Sequence, residues 1–326
     1  MINTNDIFNI QTEEEFNTLA LKIFKFQFEN NPVYRSFCDL LYIHPSDVKV
    51  VENIPFLPIQ FFKSHRVLSN SNPIEKTFSS SGTTGSTTSK HLVTNLNVYE
   101  TSFTKGFKHF YGNIEDYVVL ALLPSYLERD GSSLIYMAQH FIEHSNHKES
   151  GFYLNNLSEL KEQLIALDAK GQKVLLIGVS FALLDLVELH TFHLKHTIVM
   201  ETGGMKGRRK ELVREELHTI LKQGFGVDFI HSEYGMTELL SQAYSKGNGV
   251  FECPNWMKIL VRDTEDALSI LPKHKTGGLN VIDLANINSC SFIATQDLGK
   301  VNTNNSFEII GRFDNSDIRG CNLMVL

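Results

Sequence analysis

The segment Ser79-Ser80-Ser81-Gly82-Thr83-Thr84-Gly85-Ser86-Thr87-Thr88-Ser89-Lys90 concentrates more chemistry than any other stretch of the chain. Eleven of its twelve residues are Ser, Thr or Gly, and the last is Lys. Small residues let a backbone come close to a polyphosphate, while their amides and hydroxyls donate to its oxygens. The same composition suits a flexible linker. Two features favour the phosphate reading: only two of the twelve residues are Gly, and apolar sequence resumes at once at Phe78 and at Leu92-Val93. The Walker spacing G-x-x-x-x-G-K-[ST] is absent, so the expectation is a phosphate-gripping loop of another kind.

A second chemical segment is His231-Ser232-Glu233-Tyr234-Gly235-Met236-Thr237-Glu238. It follows an apolar run, Val227–Ile230, that reads as a strand, and open α/β sheets bind ligands beyond strand ends. An aromatic ring stacks on a base, a hydroxyl bonds a phosphate, and a carboxylate holds magnesium. Taken alone, the segment also reads as a structural Tyr-Gly turn before a helix-starting Glu.

The elements that must position these residues follow from periodicity. Thr12-Glu13-Glu14-Glu15 has the form of a capping box and opens a helix with Phe16, Leu19, Ile23 and Phe24 on one face. Pro32 should end that helix. Tyr117–Leu123, Lys173–Val179 and Thr197–Met200 read as buried strands, and Leu157, Leu160, Leu164 and Leu167 mark a helix closed by Gly171. A basic helix is expected from about Arg208 to Lys222. This alternation predicts an α/β fold with mostly parallel sheets covered by helices. Gly278–Leu284, Ser291–Ala294 and Phe307–Ile310 are short β segments, which predict a small β-rich subdomain over 276–326 appended to a core over 1–275 with an N-terminal helical segment at 12–45.

Composition excludes several classes. The 326 residues are 42% hydrophobic and 21% charged, an ordinary globular balance. A net charge of −7 argues against a general nucleic-acid surface. No apolar run is long enough for a membrane span, and Met1-Ile2-Asn3-Thr4-Asn5-Asp6 lacks the pattern of a signal peptide. Cys38, Cys253, Cys290 and Cys321 show neither zinc spacing nor a disulfide framework, so a cytoplasmic location is expected.

Ser-Ser-Gly-Thr-Thr-Gly at 80–85, Tyr-Gly-Met-Thr-Glu at 234–238, Asp297 in Ala-Thr-Gln-Asp-Leu-Gly and Gly311-Arg312-Phe313-Asp314 occur in an order that resembles the adenylate-forming superfamily of acyl-CoA synthetases, luciferases and peptide-synthetase adenylation domains. Leu123–Arg129, Glu201-Thr202-Gly203-Gly204-Met205-Lys206-Gly207-Arg208 and Arg319-Gly320-Cys321 look closer still to the LuxE-like acyl-protein synthetases, which are related to phenylacetate-CoA ligases. The resemblance implies the large-domain architecture of that superfamily, ATP and magnesium as cofactors, and activation of a carboxylic acid, fatty in this subgroup, as its acyl-adenylate. It implies that Ser80, Ser81, Gly82, Thr83, Thr84, Gly85 and Lys90 hold the β- and γ-phosphates. Gly203 and Gly204 would flank adenine, and Tyr234, followed by Gly235, would stack on it. Thr237 would meet the α-phosphate, Glu238 magnesium, and Asp297 the ribose, with Arg312 beside it. Cys321 would accept the acyl group as a thioester, since a thiolate attacks an activated acyl readily. The implied partner is an acyl reductase, an acyl-carrier protein or an acyltransferase.

Three departures from the family pattern stand out. The chain ends soon after Arg312, so a mobile lid domain with its catalytic lysine is expected to be absent, leaving Lys206, Lys90 or a partner subunit to supply positive charge. Gln296 stands where relatives have Gly, and Ser86-Thr87-Thr88-Ser89 lengthens the phosphate loop. Two competing readings are a ligase that passes the acyl group to coenzyme A or a carrier protein, and a non-catalytic nucleotide-binding subunit. The sets His140, His144, His147 and His190, His193, His196 lack the Glu of a zinc helix and read as surface or hydrogen-bonded histidines.

Overall fold

The computed structural model describes residues 2–80, 87–124, 131–153, 156–203 and 212–313. Three helices open the chain: α1 (Thr4–Ile7), α2 (Glu13–Asn30) and α3 (Pro32–Leu40). The capping box forms as expected, with Glu15 N donating to Thr12 Oγ1 and Thr12 N donating to Glu15 Oε2. Asn31 ends α2 and caps α3, its side-chain oxygen accepting from the amides of Val33 and Tyr34. Pro32 therefore stops one helix and starts the next, at the first-turn position where its missing N–H costs nothing.

Then come β1 (Leu57–Pro58), α4 (Phe61–Ser64), the hairpin β2 (Lys76–Ser79) and β3 (Lys90–Val93), and α5 (Leu96–Tyr111). The α/β section follows: β4 (Val118–Leu122), α6 (Ser133–His144), β5 (Gly151–Tyr153), α7 (Leu157–Ala169), β6 (Val174–Gly178), α8 (Ser180–Leu189), β7 (Thr197–Glu201), α9 (Arg214–Phe225) and β8 (His231–Tyr234). The remainder is β9 (Ala243–Ser245), β10 (Val250–Glu252), β11 (Met257–Arg262), β12 (Gly277–Asp283), β13 (Phe292–Val301) and β14 (Phe307–Arg312).

The neighbours β5, β4, β6, β7 and β8 are parallel, in the order β8-β7-β6-β4-β5. Val-Val-Leu-Ala-Leu in β4 and Val-Leu-Leu-Ile-Gly in β6 are buried at every position, as strands covered on both faces must be. From β8 the ladder continues antiparallel through β9, β10, β14, β13, β12 and β11. Strands on both sides of residue 275 belong to this one ladder: β11 pairs with β12, and β10 with β14.

Two elements differ from expectation. The strand expected at Val227–Ile230 lies at His231–Tyr234, because its register is set by the end of β7, with Met200 opposite His231 and Glu201 opposite Ser232. Phe229, apolar but 53% exposed, made the earlier residues look strand-like. The helix expected from about Arg208 begins at Arg214, after an extended Val213. Its C-terminus is closed by Gly226 in the left-handed region, where a Cβ would strike the Phe192 carbonyl.

Candidate active site

The two ends of the Ser/Thr/Gly loop are joined at the tip of the β2–β3 hairpin. Ser79 lies opposite Lys90, Ser80 N donates to the Ser89 carbonyl at 3.1 Å, and Ser89 N donates to Ser80 Oγ at 2.9 Å. Ser80 is thus in place and Lys90 is exposed at the start of β3, whereas Ser81, Gly82, Thr83, Thr84 and Gly85 fall outside the described residues. Next along β3, buried His91 points inward. Its Nδ1–H donates to the Thr237 carbonyl at 2.8 Å, and its Nε2 faces Asn286 Oδ1 at 3.0 Å. Burial pushes the His91 pKa down to about 4, against the raising effect of its bonds to Thr237 and Asn286.

Thr237 and Glu238 are therefore tied to the hairpin. Glu238 is buried, accepts from the Ser89 side chain, and has its pKa raised by burial despite the pull of Ser89, Arg312 and Lys63. Asn286 Nδ2 donates to the Glu238 carbonyl at 2.8 Å. The backbone just beyond is gripped by Asp283, whose Oδ2 accepts from the amides of Leu240 at 2.7 Å and Ser241 at 3.0 Å. One end of the Ser/Thr/Gly loop and the Thr-Glu pair are thus brought to one place by three side chains, His91, Asn286 and Asp283, none of which the sequence had marked.

On β8, alternation sends Ser232 and Tyr234 to one face and His231 and Glu233 to the other. Tyr234 donates its hydroxyl to Asp297 Oδ2 at 2.8 Å, and Arg312 Nε lies 3.3 Å from Asp297 Oδ1. Asp297 and Arg312 are cross-strand partners on β13 and β14. The Tyr234 ring is only 8% exposed and packs edge-on to Phe251 and Phe307. Gln296 sits beside Asp297, and its carbonyl accepts from Phe313 N at 2.7 Å, which keeps the strand pair in register past Arg312.

At the end of β7, Glu201 is buried at the centre of a polar hub. Its Oε2 accepts from Gly203 N at 2.7 Å and Ser180 Oγ at 3.2 Å, while Oε1 lies 3.5 Å from His218 Nε2 and 3.8 Å from Arg214 Nε. Burial alone would raise its pKa, but His218, Arg214 and the Gly203 amide outweigh burial and hold it near about 2. Gly203 takes φ +74°, which only Gly adopts freely, and no atom lies within 4 Å of where a Cβ would stand. Gly204, Lys206 and Cys321 fall outside the described residues. Glu201, Arg214 and His218 were unforeseen as a unit: Glu201 stands in the Glu-Thr-Gly-Gly motif, but its partners come from α9.

Among the described residues, no group of three or more His, Cys, Asp or Glu gathers as a metal cluster. His140 and His144 stack at 3.8 Å, and His147 bonds the Glu115 carbonyl.

A family model described as "Acyl-protein synthetase, LuxE" matches residues 5–326. The chain belongs to the LuxE acyl-protein synthetase family. Among solved structures, ATP-bound MatB from Rhodopseudomonas palustris is similar at 17% identity and a TM-score of 0.54, covering 75% of this chain and 49% of its own. A 2-hydroxyisobutyryl-CoA ligase in complex with 2-HIB-AMP and CoA is similar at 12% identity and a TM-score of 0.65, covering 93% of this chain and 70% of its own. The LuxE-family chain thus spans about half the length of the MatB chain it matches. What it shares with these structures is the fold, the α/β architecture of adenylate-forming ligases. The comparison with curated proteins returns no match.

Proposed function

We propose that this LuxE-family chain uses ATP to activate a carboxylic acid as its acyl-adenylate and then loads the acyl group onto Cys321. The observation that carries the proposal is the tie between hairpin and turn. Ser89 and His91 hold Thr237 and Glu238 against the neck of the Ser/Thr/Gly loop, so hydroxyls, amides and a buried carboxylate meet where a triphosphate would need them.

In this reading a carboxylate oxygen attacks the α-phosphorus, the bond to the bridging oxygen of the β-phosphate breaks, and pyrophosphate leaves with that electron pair. Ser80, the loop residues Ser81–Gly85 and Lys90 hold the outer phosphates, and the Thr237 hydroxyl meets the α-phosphate. Gly203 and Gly204 flank the base. Tyr234 borders the base with its narrow exposed strip and orients Asp297, whose oxygens retain lone pairs for the ribose hydroxyls. Lys206 or Lys90 supplies positive charge at the reacting centre. The residues suit magnesium: Glu238 is a buried carboxylate with only incomplete compensation of its charge, and it and Thr237 offer oxygen donors alone. Held by Glu238, the metal would neutralise phosphate charge.

Cys321 then attacks the acyl carbonyl as its thiolate, a thioester forms, and AMP leaves. The three described cysteines are poor nucleophiles. Burial pushes the Cys38 thiol up to about 12, and Cys253 and Cys290 are pushed higher still by the same cause. A fatty acid substrate, a cytoplasmic location and an acyl reductase, carrier protein or acyltransferase as the receiving partner complete the proposal. No helix among the described residues is long and apolar enough to cross a membrane.

The test is intact-protein mass after incubation with ATP, magnesium and a panel of carboxylic acids, wild type beside Cys321→Ser. An added acyl mass that hydroxylamine removes, and that the variant lacks, is the expected result. Pyrophosphate release without any adduct would place the acceptor outside the chain, and silence in both assays would overturn the activity.

A further inference from the structure

Glu233 does not belong to the nucleotide constellation. It faces the opposite side of β8 from Tyr234, and burial together with the Glu201 charge pushes its pKa up to about 8. Among the described residues its carboxyl has no hydrogen-bond or ion-pair partner. Its Oε1 lies against the backbone of Gly235, where a Cβ would come within 2.4 Å of that oxygen and 3.3 Å of Gln242 Cγ.

The neighbouring strand adds two more polar groups to the same face. Tyr244 on β9 is the cross-strand partner of Glu233, and Gln242, two residues before it, alternates to the same side. Tyr244 is 2% and Gln242 6% exposed, yet Tyr244 Oη and Gln242 Oε1 have no hydrogen-bond partner among the described residues. Leaving buried polar atoms unsatisfied is costly, and such atoms recur where a ligand completes the bonding. The face is roofed by α5. Tyr111 and Phe110 pack on the Tyr244 ring at 5.5 and 5.3 Å, and Tyr99 lies within electrostatic reach of Glu233 and Tyr244. Tyr99 itself is satisfied, donating to the Ser133 carbonyl.

We infer that Glu233, Gln242 and Tyr244 form a polar subsite for the acyl substrate, and that the acid carries a hydroxyl group close to its carboxylate. The inference rests on the adenylation reading above. Gly235 lies two residues before Thr237, so a substrate whose carboxylate reacts at Thr237 passes Glu233 and Tyr244 with its first few carbons. A substrate hydroxyl can accept from Tyr244 Oη–H or donate to Gln242 Oε1, and either bond completes an atom that lacks a partner. The protonated Glu233 adds a neutral hydrogen-bonding partner, which suits a hydroxyl better than an ammonium group. A plain hydrocarbon chain would leave all three groups unbonded, and sites built to bond a hydroxyl discriminate strongly against analogues that lack it.

The test is calorimetric binding of octanoate, 2-hydroxyoctanoate, 3-hydroxyoctanoate and 2-aminooctanoate to the full chain without ATP, in wild type, Tyr244→Phe and Glu233→Leu. One of the hydroxy acids should bind at least about tenfold more tightly than octanoate, and that ratio should fall to within about threefold in Tyr244→Phe. Because a ratio compares two ligands on the same protein, partial unfolding of a variant leaves it unchanged. Equal affinity for octanoate and both hydroxy acids, tighter binding of the amino acid, or selectivity that survives both substitutions would overturn the subsite. Pyrophosphate release with the same acids and ATP reads the adenylation proposal separately. Selective binding without pyrophosphate would sink that proposal and leave the subsite standing.

Discussion

Glu201 and Glu233 stand at the ends of adjacent strands, and their surroundings drive them apart. Glu201 is held near a pKa of about 2 by His218, Arg214 and the Gly203 amide, despite its burial. Glu233, with no such partners among the described residues, is pushed up to about 8 by burial and by Glu201 itself. The linkage signs are opposite as well. Glu201 is depressed below its ordinary value of 4.5, so its stabilisation is present above pH 4.5 and lost as pH falls toward 2. Urea unfolding of the wild type should weaken over that window by on the order of 2–3 kcal/mol more than in Glu201→Gln. At neutral pH Glu201→Gln should be the less stable protein, by about 1–3 kcal/mol, since it leaves Arg214 without its counter-charge. Glu233 is raised, so its stabilisation is full below pH 4.5 and lost as pH rises through 8. Glu233→Gln should therefore gain stability relative to wild type between pH 5 and pH 8, and a difference that is flat across that range would refute the assignment.

At the scale of elements, the site depends on straps between segments distant in the chain. His91 ties β3 to the turn after β8, and Asn286 and Asp283 tie that turn to the end of β12 and the residues just beyond it. His91→Ala should cost about 1–3 kcal/mol through the unpaired Thr237 carbonyl and the void it opens. Hydrogen exchange should quicken at Leu239, Leu240 and Ser241 more than in β4 or β6, and uniform acceleration would show a global effect instead. Local rules made much of this architecture legible beforehand. The capping box at Thr12, the stop at Pro32, the buried strands around Leu120 and Leu176 and the order of the motifs all depend on near neighbours. β8 starts later than its apolar residues predict because its register comes from β7, while Phe229 and Val227 mimic a strand without pairing as one. The Glu201–His218–Arg214 hub was invisible because its members meet only when α9 docks. His91 belongs to no recognisable motif, and nothing in the spacing of a single sequence links it to Asn286.

At the scale of the whole molecule, one ladder runs from the parallel strands into the antiparallel ones, and the N-terminal helical segment is bonded to the residues that follow β12. That closure is polar and specific. Gln27, fully buried on α2, donates through Nε2 to the carbonyls of Asn286 at 3.1 Å and Ile287 at 2.9 Å, and its Oε1 accepts from Ser291 N at 3.0 Å. Asn31 donates to the Ser289 carbonyl at 2.9 Å. The segment these two side chains hold includes Asn286, whose amide in turn holds Glu238. The helical segment is therefore part of the scaffold of the site, although it contributes no residue to the proposed chemistry. Gln27→Leu, similar in volume, would strand a buried amide and two carbonyls, at a cost on the order of 2–4 kcal/mol. If the helices and sheet form one cooperative unit, the variant's urea transition should stay single and shift as a whole. ATP-dependent pyrophosphate release should then fall at temperatures well below the wild-type midpoint, because loosening the 286–291 segment frees the carbonyl of Glu238. An independent helical appendage would behave differently: two transitions would separate, the first involving only residues before about 45, and activity would outlast it. The continuous bonding from Gln27 through Asn286 to Glu238 argues for the single transition.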